Sequence, residues 1–192
     1  MANRNDITAI LNDGRELVLS WLGAAQVPLF AEFAASLRVD DIVHLGLNLK
    51  DAKQLERWLK GLERGELFIL AASDPEEQDR LAGFCALSLG RGAHSHMAQV
   101  EAFLHPAYRN LGLGSNLIKE AAGLASQREL DYLEAEVHVE DRPLMDALKN
   151  LDFELKAIIE DYRVDCSGEP YDVIIMLKRL SYPSNKEFLY RY

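Results

Sequence analysis

The chain has 192 residues, 48% hydrophobic and 27% charged, with 21 Lys+Arg against 31 Asp+Glu and a formal charge of −10. That length suits a single domain with a sizeable core, and no apolar run nears the roughly 18 residues needed to span a bilayer, so no membrane partner is expected. Nucleic acid is also unexpected, because neutralising phosphates requires the opposite charge balance.

In chain order, Arg15 to Trp21 reads as a first strand. Pro28 to Leu37 has the i, i+4, i+8 spacing of a buried helix face through Leu29, Phe30, Phe33, Ala34 and Leu37. A second helix is expected over Lys50 to Leu62, followed by a buried strand at Leu67 to Ala71. An acidic turn at Asp74 to Asp79 precedes a strand at Leu81 to Leu89, which Gly90-Arg91-Gly92 breaks. A strand from His96 to Leu104 leads into His105-Pro106-Ala107-Tyr108-Arg109-Asn110-Leu111-Gly112-Leu113-Gly114-Ser115, and a helix follows with Leu113, Leu117, Ala121 and Ala125 on one face. Leu133 to Glu140 alternates like a strand, Pro143 opens a short helix to Leu151, and Phe153 to Ile159 and Val173 to Leu177 are two final strands joined by a turn at Cys166 to Pro170. The order β-α-α-β-β-β-α-β-α-β-β predicts an α/β (α+β) fold: one domain over residues 1–180 and a tail at 181–192. Its mixed central sheet would have about seven strands, with helices on both faces.

The chemistry concentrates at Arg109-x-x-Gly112-x-Gly114, between a strand and a helix. Glycines there let a diphosphate reach the unpaired N–H groups of the helix N-terminus. Ser115 adds a hydroxyl donor and Arg109 a positive charge. A nicotinamide dinucleotide site would need a third glycine at position 117, which is leucine, and an acid on a second strand, for which only Glu134 or Glu136 could serve. A dehydrogenase is therefore disfavoured.

The stretch Val100 to Gly114 resembles the strand-loop-helix motif R/Q-x-x-G-x-G/A of the GNAT superfamily of N-acetyltransferases. Leu151-Asp152-Phe153 stands where that family has Leu-Gly-Phe, and Asp172 to Leu177 is similar to its last strand. The resemblance implies acetyl-CoA as acyl donor. Its cofactor-binding residues would be Phe103, Leu104, Arg109, Asn110, Leu111, Gly112, Leu113, Gly114 and Ser115. The backbone of Val100 to Leu104 would pair with the pantetheine arm where the fourth and fifth strands splay, and a backbone N–H there would polarise the thioester carbonyl.

The sequence departs from the family pattern twice. Leu148 occupies the position of the usual general-acid tyrosine, with Tyr162 and Tyr171 as weak substitutes. Where the family often has a cofactor-contacting Asn, the chain reads Glu140-Asp141-Arg142-Pro143, so either Asp141 or Arg142 aligns.

Along the fifth of the seven expected strands, Glu134, Glu136, His138 and Glu140 share one face. A central strand rarely shows a full polar face unless it borders a cleft. Such a face is otherwise simply solvated, but the family resemblance implies a central place for this strand and a base at position 136, so Glu136 is the expected catalytic base, taking a proton from the acceptor amine through water; Glu101 and His138 are secondary choices. Metal is expected nowhere: His94 and His96 lack further ligands, and Cys85 and Cys166 lack ligand spacing and read as reduced thiols. The N-terminus lacks the apolar core of a secretory signal, so the location is expected to be cytoplasmic.

The function expected is transfer of acetyl from acetyl-CoA to a primary amine, on a small molecule or a peptide N-terminus, by direct attack in a ternary complex. The alternative is a non-catalytic acyl-CoA-binding sensor. The acidic strand face favours a cationic acceptor, whose identity would be set by residues 22 to 64 and 163 to 171. Phe188, Leu189, Tyr190 and Tyr192 make the tail apolar enough to dock on the domain or on a second subunit, so a homodimer is a further expectation.

Overall fold

Apolar residues alternate or run continuously through most of the eight segments that form one sheet in the computed structural model, which describes residues 6–23, 26–38, 49–77, 80–165 and 168–180. The strands are β1 (Ile7–Ile10), β2 (Glu16–Trp21), β3 (Leu67–Asp74), β4 (Arg80–Leu89), β5 (Met97–Leu104), β6 (Tyr132–His138), β7 (Glu154–Val164) and β8 (Pro170–Arg179). The described α-helices are α1 (Val27–Ser36), α2 (Ala52–Glu63), α3 (Leu113–Gln127) and α4 (Arg142–Lys149). Sheet order is β1-β2-β3-β4-β5-β6-β8-β7, and β5–β6 is the one parallel pairing among the described residues.

The pleat sorts the core into two layers. On one face Val100, Leu133, Ala135, Val137, Ile174 and Met176 pack under α3 and α4 through Leu117, Ala121 and Leu148. On the other, Ile69, Phe84, Ala86 and Phe103 meet Phe30 and Ala34 of α1 and Leu55 and Leu59 of α2. Phe84 sits edge-on to Phe30 at 5.1 Å and stacks on Phe103 at 5.9 Å, so the second layer is an aromatic cluster. Asp51 starts α2 by accepting from the Lys53 and Gln54 amides at 2.9 and 3.2 Å, a cap contributing about 1 kcal/mol.

The expected α/β (α+β) architecture holds, with helices on both faces and eight strands in place of seven. The added strand is β1, which pairs antiparallel with β2 across a turn at Asn12-Asp13-Gly14. Gly14, at φ +89°, takes the left-handed conformation that the turn requires. β6 stops at His138, before the expected Glu140, and α4 ends at Lys149, before Leu151. Strands β7 and β8 are longer than expected, and Pro170 begins β8. Cys166, the expected tail and residues 39–48 lie outside the described residues.

A buried network fixes the segment leading into the Arg109 motif. Tyr108 is 1% exposed and its hydroxyl donates to Asp74 Oδ2 at 2.8 Å, while Arg15 lies over its ring and donates to the Ala107 carbonyl at 3.3 Å. Burial first, and the Asp74 carboxylate second, push the Tyr108 phenol up to about 12 from its ordinary 10. The folded state thus holds this proton more tightly than the unfolded chain. The stabilisation is complete below pH 10 and is lost as pH rises toward 12. In urea titrations the parent should lose about 2 kcal/mol more across that window than Tyr108→Phe. Identical alkaline slopes would remove Tyr108 from the balance.

Candidate active site

β5 and β6 pair only at Met97–Gln99 with Tyr132–Glu134. Beyond that register the strands diverge, and Val100–Leu104 and Ala135–His138 face each other across a V. The opening continues into a cleft of about 570 Å³, walled by both strands, the 109–115 loop, α4 and the ends of β7 and β8. One edge of β5 is held by β4 through Gly83–Leu89, which leaves the other free to accept an extended partner.

The loop at one mouth is shaped by two left-handed residues, Asn110 at φ +61° and Gly112 at φ +84°. Gly112 is the N-cap of α3 and provides no side-chain cap, so the first-turn amides of Leu113, Gly114 and Ser115 point outward as an anion cradle. A Cβ on Gly114 would stand 3.3 Å from Leu104 Cδ1, so a larger residue there requires the end of that side chain to give by a few tenths of an ångström. Arg109 Nε donates to the Leu104 carbonyl at 3.1 Å, setting the guanidinium beside the cleft. The loop is braced from behind: the Asn12 amide donates to the Leu111 carbonyl at 3.0 Å.

Seven of the nine expected cofactor residues line the cleft: Phe103, Leu104, Arg109, Asn110, Gly112, Gly114 and Ser115. Leu111 and Leu113 do not, because their side chains pack into the α3 core layer. Phe103 reaches the cleft at the strand, while its ring is committed to the aromatic layer. Asp141 lines the cleft and caps α4 by accepting from the Leu144 amide at 3.1 Å, whereas Arg142 is absent from the lining. Leu148 is fully buried and also lines the cleft, so an aliphatic side chain fills the position that the resemblance would give to a phenol.

On the α1/α2 face of the sheet, the cleft gathers Gln99, Glu101, Glu136, His138, Arg163 and Tyr171. Arg163, on the outermost strand, reaches over β8 to Glu136, with Nε and Nη2 on Oε2 at 2.7 and 2.5 Å. Burial works against the Arg163 charge, but the Glu136 hydrogen bond and the negative charges of Glu136 and Glu101 together outweigh it and hold the guanidinium protonated above its usual range. The Tyr171 ring lies 5.0 Å from that of His138, and burial lifts its phenol above the ordinary value. Tyr171 pairs with Arg163 across the β7–β8 ladder and so occupies the sheet face opposite Leu148. Tyr162 is half exposed and outside the lining. Glu134 stays outside it too; burial, then the nearby Glu136 charge, raises its pKa.

Among the described residues no group of three or more His, Cys, Asp or Glu is arranged to hold a metal, and no helix is long and apolar enough to cross a membrane. Cys85 is buried in β4, where desolvation pushes its thiol far above the usual range.

A family model described as the Acetyltransferase (GNAT) family matches residues 37–153, more than half of the chain. The chain belongs to this family. Acetyl-CoA is accordingly the acyl donor of this GNAT acetyltransferase, and an outward amide cradle beside a free strand edge fits a diphosphate joined to an amide-bearing arm. Its fold is similar to the GNAT domain of PAT from S. lividans, at TM-score 0.72 and 15% identity, covering 94% of this chain and 100% of the other. It is also similar to a ribosomal-protein-alanine N-acetyltransferase from Brucella melitensis, at 0.69 and 17%, covering 84% and 99%. A phosphinothricin acetyltransferase from Sinorhizobium meliloti, in complex with acetyl-CoA, is similar at 0.68 and 18%, covering 86% and 89%. The comparison with curated proteins yields no match.

Sequence reasoning about this GNAT protein did not single out two residues that shape the site. Arg163 is separated from Glu136 by 27 positions, and no local pattern announces their pairing. Asn12 was readable as part of a turn, though nothing in the sequence places that turn against residue 111.

Proposed function

We propose that this chain moves acetyl from acetyl-CoA to a primary amine by direct attack within a ternary complex. The observation that carries the reading is the V between β5 and β6, with an anion cradle at one mouth and acidic side chains on the opposite sheet face. In this reading Arg109, Asn110 and Ser115, with the amides around Gly112 and Gly114, hold the diphosphate. The free edge of Val100–Leu104 aligns the pantetheine arm and turns a backbone N–H toward the thioester oxygen.

The acceptor enters from the face carrying Glu101, Glu136 and His138. Glu136 is the base. Arg163 grips Oε2 and leaves Oε1 outside the pair, so that oxygen faces the amine through a water. The nitrogen–carbon bond forms as the carbon–sulfur bond breaks, the amine proton passes to Glu136, and the thiolate takes its proton from water. CoA thiolate is a fair leaving group, so a leucine at position 148 is compatible with turnover. Leu148 also supports a second reading, an acyl-CoA-binding module without turnover. Steady release of free thiol with any acceptor decides between the two.

The acceptor is a cation, on a small molecule or a peptide N-terminus, because Glu101 and Glu136 outnumber Arg163 on the acceptor face of the cleft and the chain carries −10 overall. A thiol-release screen over polyamines, basic small molecules, amino acids and peptide N-termini should find its best substrates among cations. Their apparent affinity should fall as salt is raised from low ionic strength to 0.1 M, where charges are screened within about 10 Å. An anionic or uncharged best acceptor, or a salt-independent KM, would overturn the acidic-cleft assignment.

A further inference from the structure

We infer that a bulge in β7, pinned by Asp172, is the device that sets Arg163 rather than Asp161 beside Glu136. Arg163 and Asp172 are then positioning residues, an inference that rests on the reading of Glu136 as the base. Ile159 pairs with Val173 and Arg163 with Tyr171, so three residues of β7, Glu160 to Tyr162, stand against the single residue Asp172 of β8. Had the ladder run on regularly from Ile159, Glu160 would pair with Asp172 and Asp161 with Tyr171. Tyr171, Val173 and Ile175 share one face of β8, and Ile175 pairs with Glu136. A regular β7 would therefore present an acid on the face that already carries Glu101 and Glu136. The extra residues put an arginine in that place and keep the alternation of faces.

The local contacts show what holds the bulge. Asp161 takes φ +50°, the left-handed region that aspartate tolerates better than most residues with a side chain. Its amide donates to the Asp172 side chain, at Oδ1 and 3.0 Å, in place of a backbone carbonyl. Past the bulge the chain rejoins β8 at Arg163. Since β8 lies between β7 and β6, the strands carrying Arg163 and Glu136 stand about 10 Å apart, a gap that an arginine bridges and an aspartate does not. Nε and Nη2 both meet Oε2 of Glu136, which fixes the rotation of the carboxylate. The two side chains are 29% and 15% exposed, so the contact is better shielded than an ordinary surface pair.

Urea titrations test the device without substrate. A double-mutant cycle over Arg163→Met and Glu136→Ala should show a coupling of at least about fivefold in the unfolding constant. In an Asp172→Ala background that coupling should vanish, whereas Asp172→Asn, whose amide oxygen still accepts from Asp161, should keep it. Turnover tests the purpose. With acetyl-CoA and the leading amine of the thiol-release screen, Arg163→Met and Asp172→Ala should each lower kcat at least about tenfold, with the acetyl-CoA KM within about twofold. Arg163→Met added to Glu136→Gln should lower kcat no further. No coupling in the parent, or coupling that survives Asp172→Ala, would overturn the inference, as would parental kcat in Arg163→Met while Glu136→Gln is slow. Parental kcat in Glu136→Gln, or no turnover with any amine, would instead fail the reading of Glu136 as base and take this inference with it.

Discussion

Gly112→Val is expected to weaken acetyl-CoA binding at least about a hundredfold, measured by calorimetry on protein whose folding is confirmed by circular dichroism. Sequence reasoning attributes such a loss to a side chain standing in the diphosphate's place, but the structure gives a different cause. A Cβ on Gly112 would point at Asn12, meeting its Oδ1 at an ordinary 3.4 Å. The damage comes through the backbone, since φ +84° is a conformation that a β-branched residue adopts at a cost of order 1–3 kcal/mol. Relaxing that strain would swing the amides of residues 113–115 off their common target, and each lost charge-assisted donor costs about 1.5–3 kcal/mol. Asparagine tolerates the left-handed region, so Gly112→Asn should retain much more affinity and thermal stability than the valine variant. Parental affinity in folded Gly112→Val would show that this loop does not hold the cofactor.

Glu136→Gln should lower kcat about a hundredfold or more near neutral pH, with acetyl-CoA affinity unchanged within about twofold. The substitution is nearly isosteric, and the amide oxygen can still accept from Arg163, so the strap across β8 should survive. What disappears is the capacity to take a proton. A merely architectural Glu136 would instead show a lower melting temperature and little change in kcat. Glu101→Gln is the companion measurement: an effect larger than that of Glu136→Gln would move the base to β5. Equal kcat for parent and Glu136→Gln at every pH would remove Glu136 from the mechanism.

The geometry of the proposed cofactor loop was legible because it is local. A glycine that turns left-handed, a second set close against Leu104, and a helix that starts between them fit in six residues from Arg109 to Gly114. The side chains of Leu111 and Leu113 were not separable from that loop by spacing, since a residue can offer its amide to the cleft and its side chain to the core. β1 was missed although Asn12-Asp13-Gly14 is a turn signal, because Ile7–Ile10 is only four residues long and too short to show a period. β7 was read as ending at Ile159 because an edge strand exposed on both sides shows no alternation, and Glu160-Asp161 resembles the start of a loop. The acidic face of β6 was legible from its period of two. Its neutralising partner was not, because Arg163 reaches it only through the order of β6, β8 and β7 in the sheet.

The hairpin of β1 and β2 bears on the thermodynamics of cofactor capture. Asn12 ties down residue 111, Arg15 ties down residue 107 and covers Tyr108, and Tyr108 is anchored to Asp74. The segment proposed to hold a highly charged ligand is therefore immobilised from both flanks by contacts that form when the chain folds. Ordering a backbone residue costs about 1–2 kcal/mol, and a loop of this length left loose would subtract several such amounts from every binding event. Here that entropy is already spent before the ligand arrives, so more of the electrostatic attraction is retained as affinity. Residues 6–15, none of which lines the cleft, thus help set how tightly it would bind.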